Sequence, residues 1–195
     1  MNPIIGCLQN KTAHPVLSVN GTDNGEARSN PKYWYAVYVR FRHEKRVRDV
    51  LETNEIECFL PIQEEIRQWS DRKKKVERVL IPMMLFVRIE DKQRVTVLSN
   101  PSVSGFVRLR GESRPARIPD DQMERFKFMV GAADSAIQFT DQPLTPGEKV
   151  RVVRGPLCGL EGELTEIDGD TVVYVRLDCL GCASVRIAMN SVEKI

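Results

Sequence analysis

Histidine is nearly absent. Two occur in 195 residues, His14 and His43. A histidine-rich metal site is therefore excluded, and nucleophile–histidine–acid catalysis is confined to very few arrangements. No apolar run approaches the ~20 residues of a membrane span. Charge of one sign is missing as well. Lys+Arg number 29 against 27 Asp+Glu, leaving a net +2. That excludes a protein that coats nucleic acid by bulk charge, while leaving room for a local basic face. The five cysteines are odd in number, which points to free thiols in a reducing cytoplasm rather than a disulfide framework. Ile4-Ile5-Gly6-Cys7 superficially resembles a lipoprotein cleavage box. Neither a basic region nor an apolar segment of ~7–15 residues precedes it, so lipidation is not expected.

What is present falls into four segments. Residues 1–31 read as a flexible tail, because Asn20 to Pro31 is turn and linker chemistry without periodicity. Residues 32–131 carry the signals of an α+β domain. The run Tyr33 to Val39 is aromatic and β-branched, as strands are. A helix is expected from Phe41 to Thr53 with Val47, Val50 and Leu51 on one face and Arg42, Lys45, Arg46 and Arg48 on the opposite arc. Strands follow at Ile56 to Ile62, Leu80 to Ile89 and Val103 to Leu109, with a charged hairpin tip at Asp71 to Lys75 and a short helix at Asp91 to Leu98. A last helix runs from Pro119 to Met129, capped by Asp120 or Asp121. The order implies helices packed on one antiparallel sheet. Residues 132–145 read as a linker. Residues 146–195 hold short strands (149–153, 161–167, 171–177, 184–188) between glycine turns, which suits a small β-barrel.

The C-terminal segment resembles a KOW motif. It runs Pro146-Gly147-Glu148-Lys149-Val150-Arg151-Val152, then Gly155-Pro156-Leu157-Cys158-Gly159-Leu160-Glu161-Gly162. Gly155, Gly159 and Gly162 would allow positive φ where a tight barrel reverses. In the first domain the pattern comprises Trp34-Tyr35, Glu44, Leu80-Ile81-Pro82-x-x-Leu85-Phe86-Val87, Gly105-Phe106-Val107-Arg108 and Ile118-Pro119-Asp120. Together these resemble the NusG family over roughly residues 33–195. The implied fold is an NGN-type α/β sandwich with an antiparallel sheet, followed by an SH3-like β-barrel KOW domain. Within the family the chain looks most like the specialised UpxY-type antiterminators of capsular polysaccharide operons, with RfaH a more distant relative.

The resemblance implies a non-enzymatic, cytoplasmic, monomeric transcription elongation and antitermination factor without a cofactor, metal or membrane attachment. Its partner would be elongating RNA polymerase. The positions that match the contact with the β′ clamp helices are Ile81, Met84 and Phe86 on the central strand, with Met123 and Phe126 on the last helix. Met123 and Phe126 lie three apart and share a helix face. The same residues can equally be core, Phe86 above all, because alternation sends neighbours to opposite sheet faces. Val95-Thr96-Val97 matches the segment that faces the β gate loop, or plain helix packing. Arg40, Arg42, Lys45, Arg46 and Arg48 match the edge that faces the non-template DNA of the transcription bubble, where arginine can pair with phosphate and stack on unpaired bases. A solvated helix face is the alternative. The basic tip Arg72 to Lys75 has the same two readings. Leu157, Leu160 and Leu180 match the KOW surface by which relatives meet Rho or a ribosomal protein, or else they are core.

A general NusG-like elongation factor is one alternative to the capsule-operon specialist. A KOW-type ribosome or RNA-binding protein without a polymerase role is the other, and the first domain's pattern argues against that one. Cys179-Leu180-Gly181-Cys182 is a lone CxxC. With Cys158 it supplies at most three ligands, so a turn with free thiols is expected rather than zinc or redox chemistry. His43 reads as a packed or edge histidine.

Overall fold

A computed structural model describes residues 30–68, 72–141, 147–167 and 170–195. The expected tail, 1–31, lies outside them except for its last two residues.

Strand β1 (Tyr33–Val39) is buried at five of its seven positions, so it needs neighbours on both edges and cover on both faces. Strands β2 (Glu57–Phe59), β3 (Ile62–Gln68), β4 (Lys73–Val79), β5 (Met84–Ile89), β6 (Val103–Phe106) and β7 (Arg117–Ile118) follow in chain order. β1 pairs antiparallel with β5 on one side and with β6 and β7 on the other, giving the order β2-β5-β1-β6. The period of two then sorts the side chains. Tyr35, Val37, Leu85 and Val87 join Val47 and Leu51 of helix α1 (Glu44–Thr53). Trp34, Ala36, Met84 and Phe86 join Met123, Phe126 and Met129 of helix α3 (Asp120–Ala132). Helix α2 (Arg94–Leu98), preceded by a 3-10 turn at Asp91–Gln93, closes one end.

Several local expectations shift for identifiable reasons. The helix expected from Phe41 begins at Glu44, because Arg42 has φ 64 and cannot be helical. Val50 is exposed, and the buried face takes Glu44 instead. The strand expected from Leu80 begins at Met84. Pro82 has no N–H to give a ladder, and Met83 turns through φ 61. That turn is held from both sides: the Met83 N–H donates to Glu44 Oε1 at 2.9 Å and its carbonyl accepts from Val39 N at 2.9 Å. Ile56 to Ile62 is broken at Leu60-Pro61, and the hairpin β3–β4 forms its own two-stranded sheet rather than joining the first. Neither Asp120 nor Asp121 caps α3. Pro119 occupies that position, and both acids sit in the first turn, where they complement the helix dipole.

The C-terminal domain is an antiparallel six-stranded sheet made of β8 (Gln138–Thr140), β9 (Glu148–Val152), β10 (Glu161–Ile167), β11 (Asp170–Leu177), β12 (Gly181–Arg186) and β13 (Val192–Lys194). Its order is β13-β9-β10-β11-β12-β8. The expected closed barrel is not among these pairings, since β13 and β8 each pair on one edge only. Gly155 and Gly159 have φ 83 and 94 as expected, but Gly162 does not. A Cβ there would meet Tyr174 O at 2.7 Å, so its role is close strand approach. Gly181 meets both needs: its φ is 137, and a Cβ would lie 2.1 Å from Thr140 O.

That last contact belongs to the segment 132–145, which the sequence suggested was linker. It contributes the end of α3, the fully buried Ile137 and strand β8 pairing with β12. Ile137 is gripped by the cross-strand pair Gln63 and Arg78. Its N–H donates to Gln63 Oε1 at 3.0 Å and its carbonyl accepts from Arg78 Nη2 at 2.6 Å. Gln63 Nε2 also donates to Ser135 O at 2.7 Å. Gln63 is 7% exposed, so water cannot replace these bonds. Gln63→Ala is therefore expected to lower unfolding free energy by about 1–3 kcal/mol, the cost of stranding buried backbone groups, measured by urea denaturation.

Candidate nucleic-acid and polymerase interface

The five basic residues divide by what surrounds them. Lys45 forms an ion pair with Glu77 of β4. Arg48 donates from Nη2 to Asp49 Oδ1 at 2.8 Å. Arg42 lies over the Phe41 ring, 5.2 Å from its centroid. Arg40 and Arg46 have no carboxylate partner among the described residues. Both line an open groove of about 490 Å³ with His43, Asn54, Asn100 and Ser102. Its geometry is fixed by the loop before β6. Arg40 N donates to Ser102 O at 2.9 Å, and His43 Nδ1 lies 2.9 Å from Ser102 Oγ. His43 is half-buried at the N-terminal end of α1. The rest of the wall is mixed, with Val47, Val50, Leu51 and Pro101 beside the polar groups, and two guanidiniums without carboxylate partners there can receive an anionic strand.

The five apolar candidates do not form an open surface in this arrangement. Ile81, Met84, Phe86, Met123 and Phe126 are all 8% exposed or less. Phe86 and Phe126 pack edge-on at 5.7 Å between ring centroids, and Phe59 meets Phe126 at 5.8 Å. The apolar layer continues without a break into Val150, Val152, Leu160, Val173 and Leu177 of the C-terminal sheet. Helix α3 lies against β11, and Gln122 is bonded twice to Asp178: Nε2 to Oδ2 at 2.7 Å, and Oε1 from the backbone N–H at 3.1 Å. Leu157 and Leu160 are buried in the same layer, while Leu180 is half-buried at its margin. On α2, Val97 is core, whereas Val95 is 75% exposed. At the hairpin, Arg72, Lys73, Lys74 and Lys75 are exposed, with Lys75 paired to Glu64 at 3.0 Å. Sequence reasoning missed Phe59 and Gln63. Phe59 sits in the same strand register as Phe86, which a sheet alignment of the two strands could have revealed.

The CxxC was expected to be a turn, but only Cys179 and Leu180 lie in the β11–β12 turn, while Gly181 and the buried Cys182 are the first two residues of β12. Burial pushes the Cys179 thiol up to about 11 and raises Cys182 as well, so both are protonated and poorly nucleophilic at neutral pH. Among the described residues no group of His, Cys, Asp and Glu could hold a metal ion, and no helix is long and apolar enough to cross a membrane.

In the C-terminal sheet the half-buried carboxylate of Glu163 has several partners. Burial raises the Glu163 carboxyl, but Arg176, Tyr174 and the Gly147 N–H outweigh it and hold Glu163 below its usual 4.5. Tyr174 donates to Glu163 Oε2 at 2.6 Å, and Arg176 Nε donates to Oε1 at 3.2 Å. A depressed carboxyl stabilises the fold fully above about pH 4.5 and loses that contribution as pH falls through the folded value. Thermal melts of Glu163→Gln should therefore show a lower melting temperature than the parent at neutral pH. That gap should narrow in acid below about pH 4.5.

The described residues thus comprise an antiparallel sheet with helices on both faces, an appended six-stranded β-sheet and a groove lined by Arg40 and Arg46. The sequence pattern of the family described as "Transcription termination factor nusG" matches residues 32–127. The "Transcription termination/antitermination protein NusG" of Staphylococcus carnosus is 28% identical over 178 residues, covering 84% of this chain and 96% of the relative. That of Lactococcus lactis is 26% identical over 175 residues, covering 83% and 92%. The solved structure reported as "Domain interaction in Thermotoga maritima NusG" is 24% identical, covers 84% of this chain and 97% of that one, and superposes with a TM-score of 0.45. Residues 32–127 thus carry the NusG-family pattern, and the likeness to the curated NusG proteins runs along 84% of the chain.

Proposed function

We propose that the chain is a general NusG-like transcription elongation and antitermination factor that binds elongating RNA polymerase. The observation that carries this reading is the likeness to NusG relatives along both domains, 96% of the relative's length in the Staphylococcus carnosus case. In this reading the apolar layer of Ile81, Met84, Phe86, Met123 and Phe126 meets the β′ clamp helices, and Val95 meets the β gate loop. Arg40 and Arg46 meet the non-template DNA, with Arg42, Lys45 and Arg48 beside them. Holding the clamp closed on the nucleic acids disfavours pausing and termination, which needs positioning alone. A ribosomal protein or Rho at the C-terminal domain would meet Leu180 first, since Leu157 and Leu160 are buried.

The apolar layer is continuous with the C-terminal sheet, so polymerase binding requires that sheet to move away. Gln122→Ala removes both bonds to Asp178 and is expected to tighten binding to purified polymerase several-fold in a co-sedimentation assay. Unchanged or weaker binding would count against this route. Charge reversal of Arg40 and Arg46 together is expected to reduce loading on a transcribing complex and restore pausing, while binding to polymerase without nucleic acid persists. Normal loading of that variant would remove the DNA part of the proposal.

The narrower assignment to UpxY-type antitermination at capsular polysaccharide operons rests on sequence resemblance. A polysaccharide biosynthesis operon directly downstream of the gene supports it, and a solitary gene among general transcription genes opposes it.

A further inference from the structure

The turn between β1 and α1 carries a feature that phosphate binding does not explain. Arg40 O accepts from His43 N at 3.0 Å, so Phe41 and Arg42 are the two central residues of a tight turn. Arg42 sits there at φ 64, where turns with a positive φ at the second central residue favour glycine. Left-handed backbone at a residue other than glycine is strained, and such strain gathers at functional positions. Here it lifts Phe41 clear of the core. Phe41 is 61% exposed, although phenylalanine usually contributes to stability by burial. One side of its ring is faced by the Arg42 guanidinium. The residues on either side of the pair, Arg40 and His43, are both walls of the basic groove.

Single-stranded nucleic acid is bound by a basic groove for its backbone together with aromatic rings on which its bases stack, and the exposed Phe41 lies in a turn whose first and last residues line such a groove. Every base has a π-face, so stacking is tolerant of sequence. We propose that Phe41 is a stacking platform for an unpaired nucleobase whose strand lies along the groove of Arg40 and Arg46. The inference rests on the nucleic-acid part of the proposed function and adds a ligand class, the π-face of an unpaired base, and the residue that takes it. Arg42 backs the ring and supplies positive charge behind it.

The full-length chain is titrated against a labelled single-stranded oligodeoxynucleotide of about 12 nucleotides, the matching RNA strand and the matching DNA duplex, from about 50 to about 200 mM salt. Phe41→Ala is expected to weaken single-strand binding about ten- to a hundredfold. The slope of affinity against salt should not change, because that slope counts phosphates and not stacked bases. Duplex binding should be unaffected. Phe41→Trp should keep its affinity, and its emission, read as the difference from the parent protein, should be quenched on saturation. Phe128→Ala, which removes an exposed ring on α3, should bind like the parent. Equal single-strand binding by Phe41→Ala and the parent overturns the proposal, as does unquenched Phe41→Trp. So does a loss of polymerase binding with nucleic-acid binding intact, which would make the ring a protein contact. If Arg40→Ala with Arg46→Ala abolishes binding while Phe41→Ala does not, only the stacking fails. If the parent binds neither single strand, the nucleic-acid part of the proposed function fails with it, and the polymerase part stands. The relative loss on DNA and RNA tells which strand the site prefers.

Discussion

Trp34 to Val37 are all buried, so alternation along β1 forces the chain to supply an apolar layer on each face of the sheet. One layer is closed by α1 with Val47 and Leu51. The other takes α3, and there the surplus of apolar surface decides the rest of the structure. Phe86 and Phe126 pack against each other and Phe59. The layer then runs on into the C-terminal sheet, so the two domains share one continuous core. The face proposed to meet polymerase is the one that the chain's own second domain covers, because apolar burial does not distinguish between partners.

Polar contacts give that cover its geometry. Apolar contact alone permits sliding, whereas hydrogen bonds fix register. Gln63 and Arg78 hold the backbone of Ile137, and Gln122 holds Asp178. Ile137 places its side chain in the core while β8 extends β12. The segment between the domains is thereby part of both. The charges show a related economy. Lys45, Arg48 and Lys75 meet Glu77, Asp49 and Glu64, which leaves Arg40 and Arg46 as the unneutralised pair at the groove. A net charge of +2 thus coexists with a local site.

The sequence was most informative where period and chemistry agreed. β1, α1, α3 and four of the C-terminal strands are found close to the positions their patterns indicate. It was least informative where a side chain distant in sequence sets the backbone. The Met83 turn depends on Glu44, thirty-nine positions away, and β8 depends on an edge offered by β12. Three residues of moderate β-propensity say nothing alone about such a partner. For the same reason Phe59 and Gln63 went unnoticed, since their significance is the company they keep. Arg42 was legible as a charge but not as a left-handed residue, because glycine is the usual marker of that conformation.

By itself the sequence determined the alternation that makes β1 central, the glycine-punctuated C-terminal strands, the scarcity of histidine that leaves little room for catalysis, and a basic arc beside the first helix. Those follow from residue type and spacing, which act locally. Only the tertiary structure decided that the apolar candidates are covered, that the strand pairings among the described residues leave the C-terminal sheet in an open order, and that Arg40 and Arg46 line a groove while Lys45 and Arg48 are ion-paired. Burial and ion pairing are properties of what surrounds a side chain. That surrounding is assembled from segments as far apart as Gln63 and Ile137, and no local pattern records it.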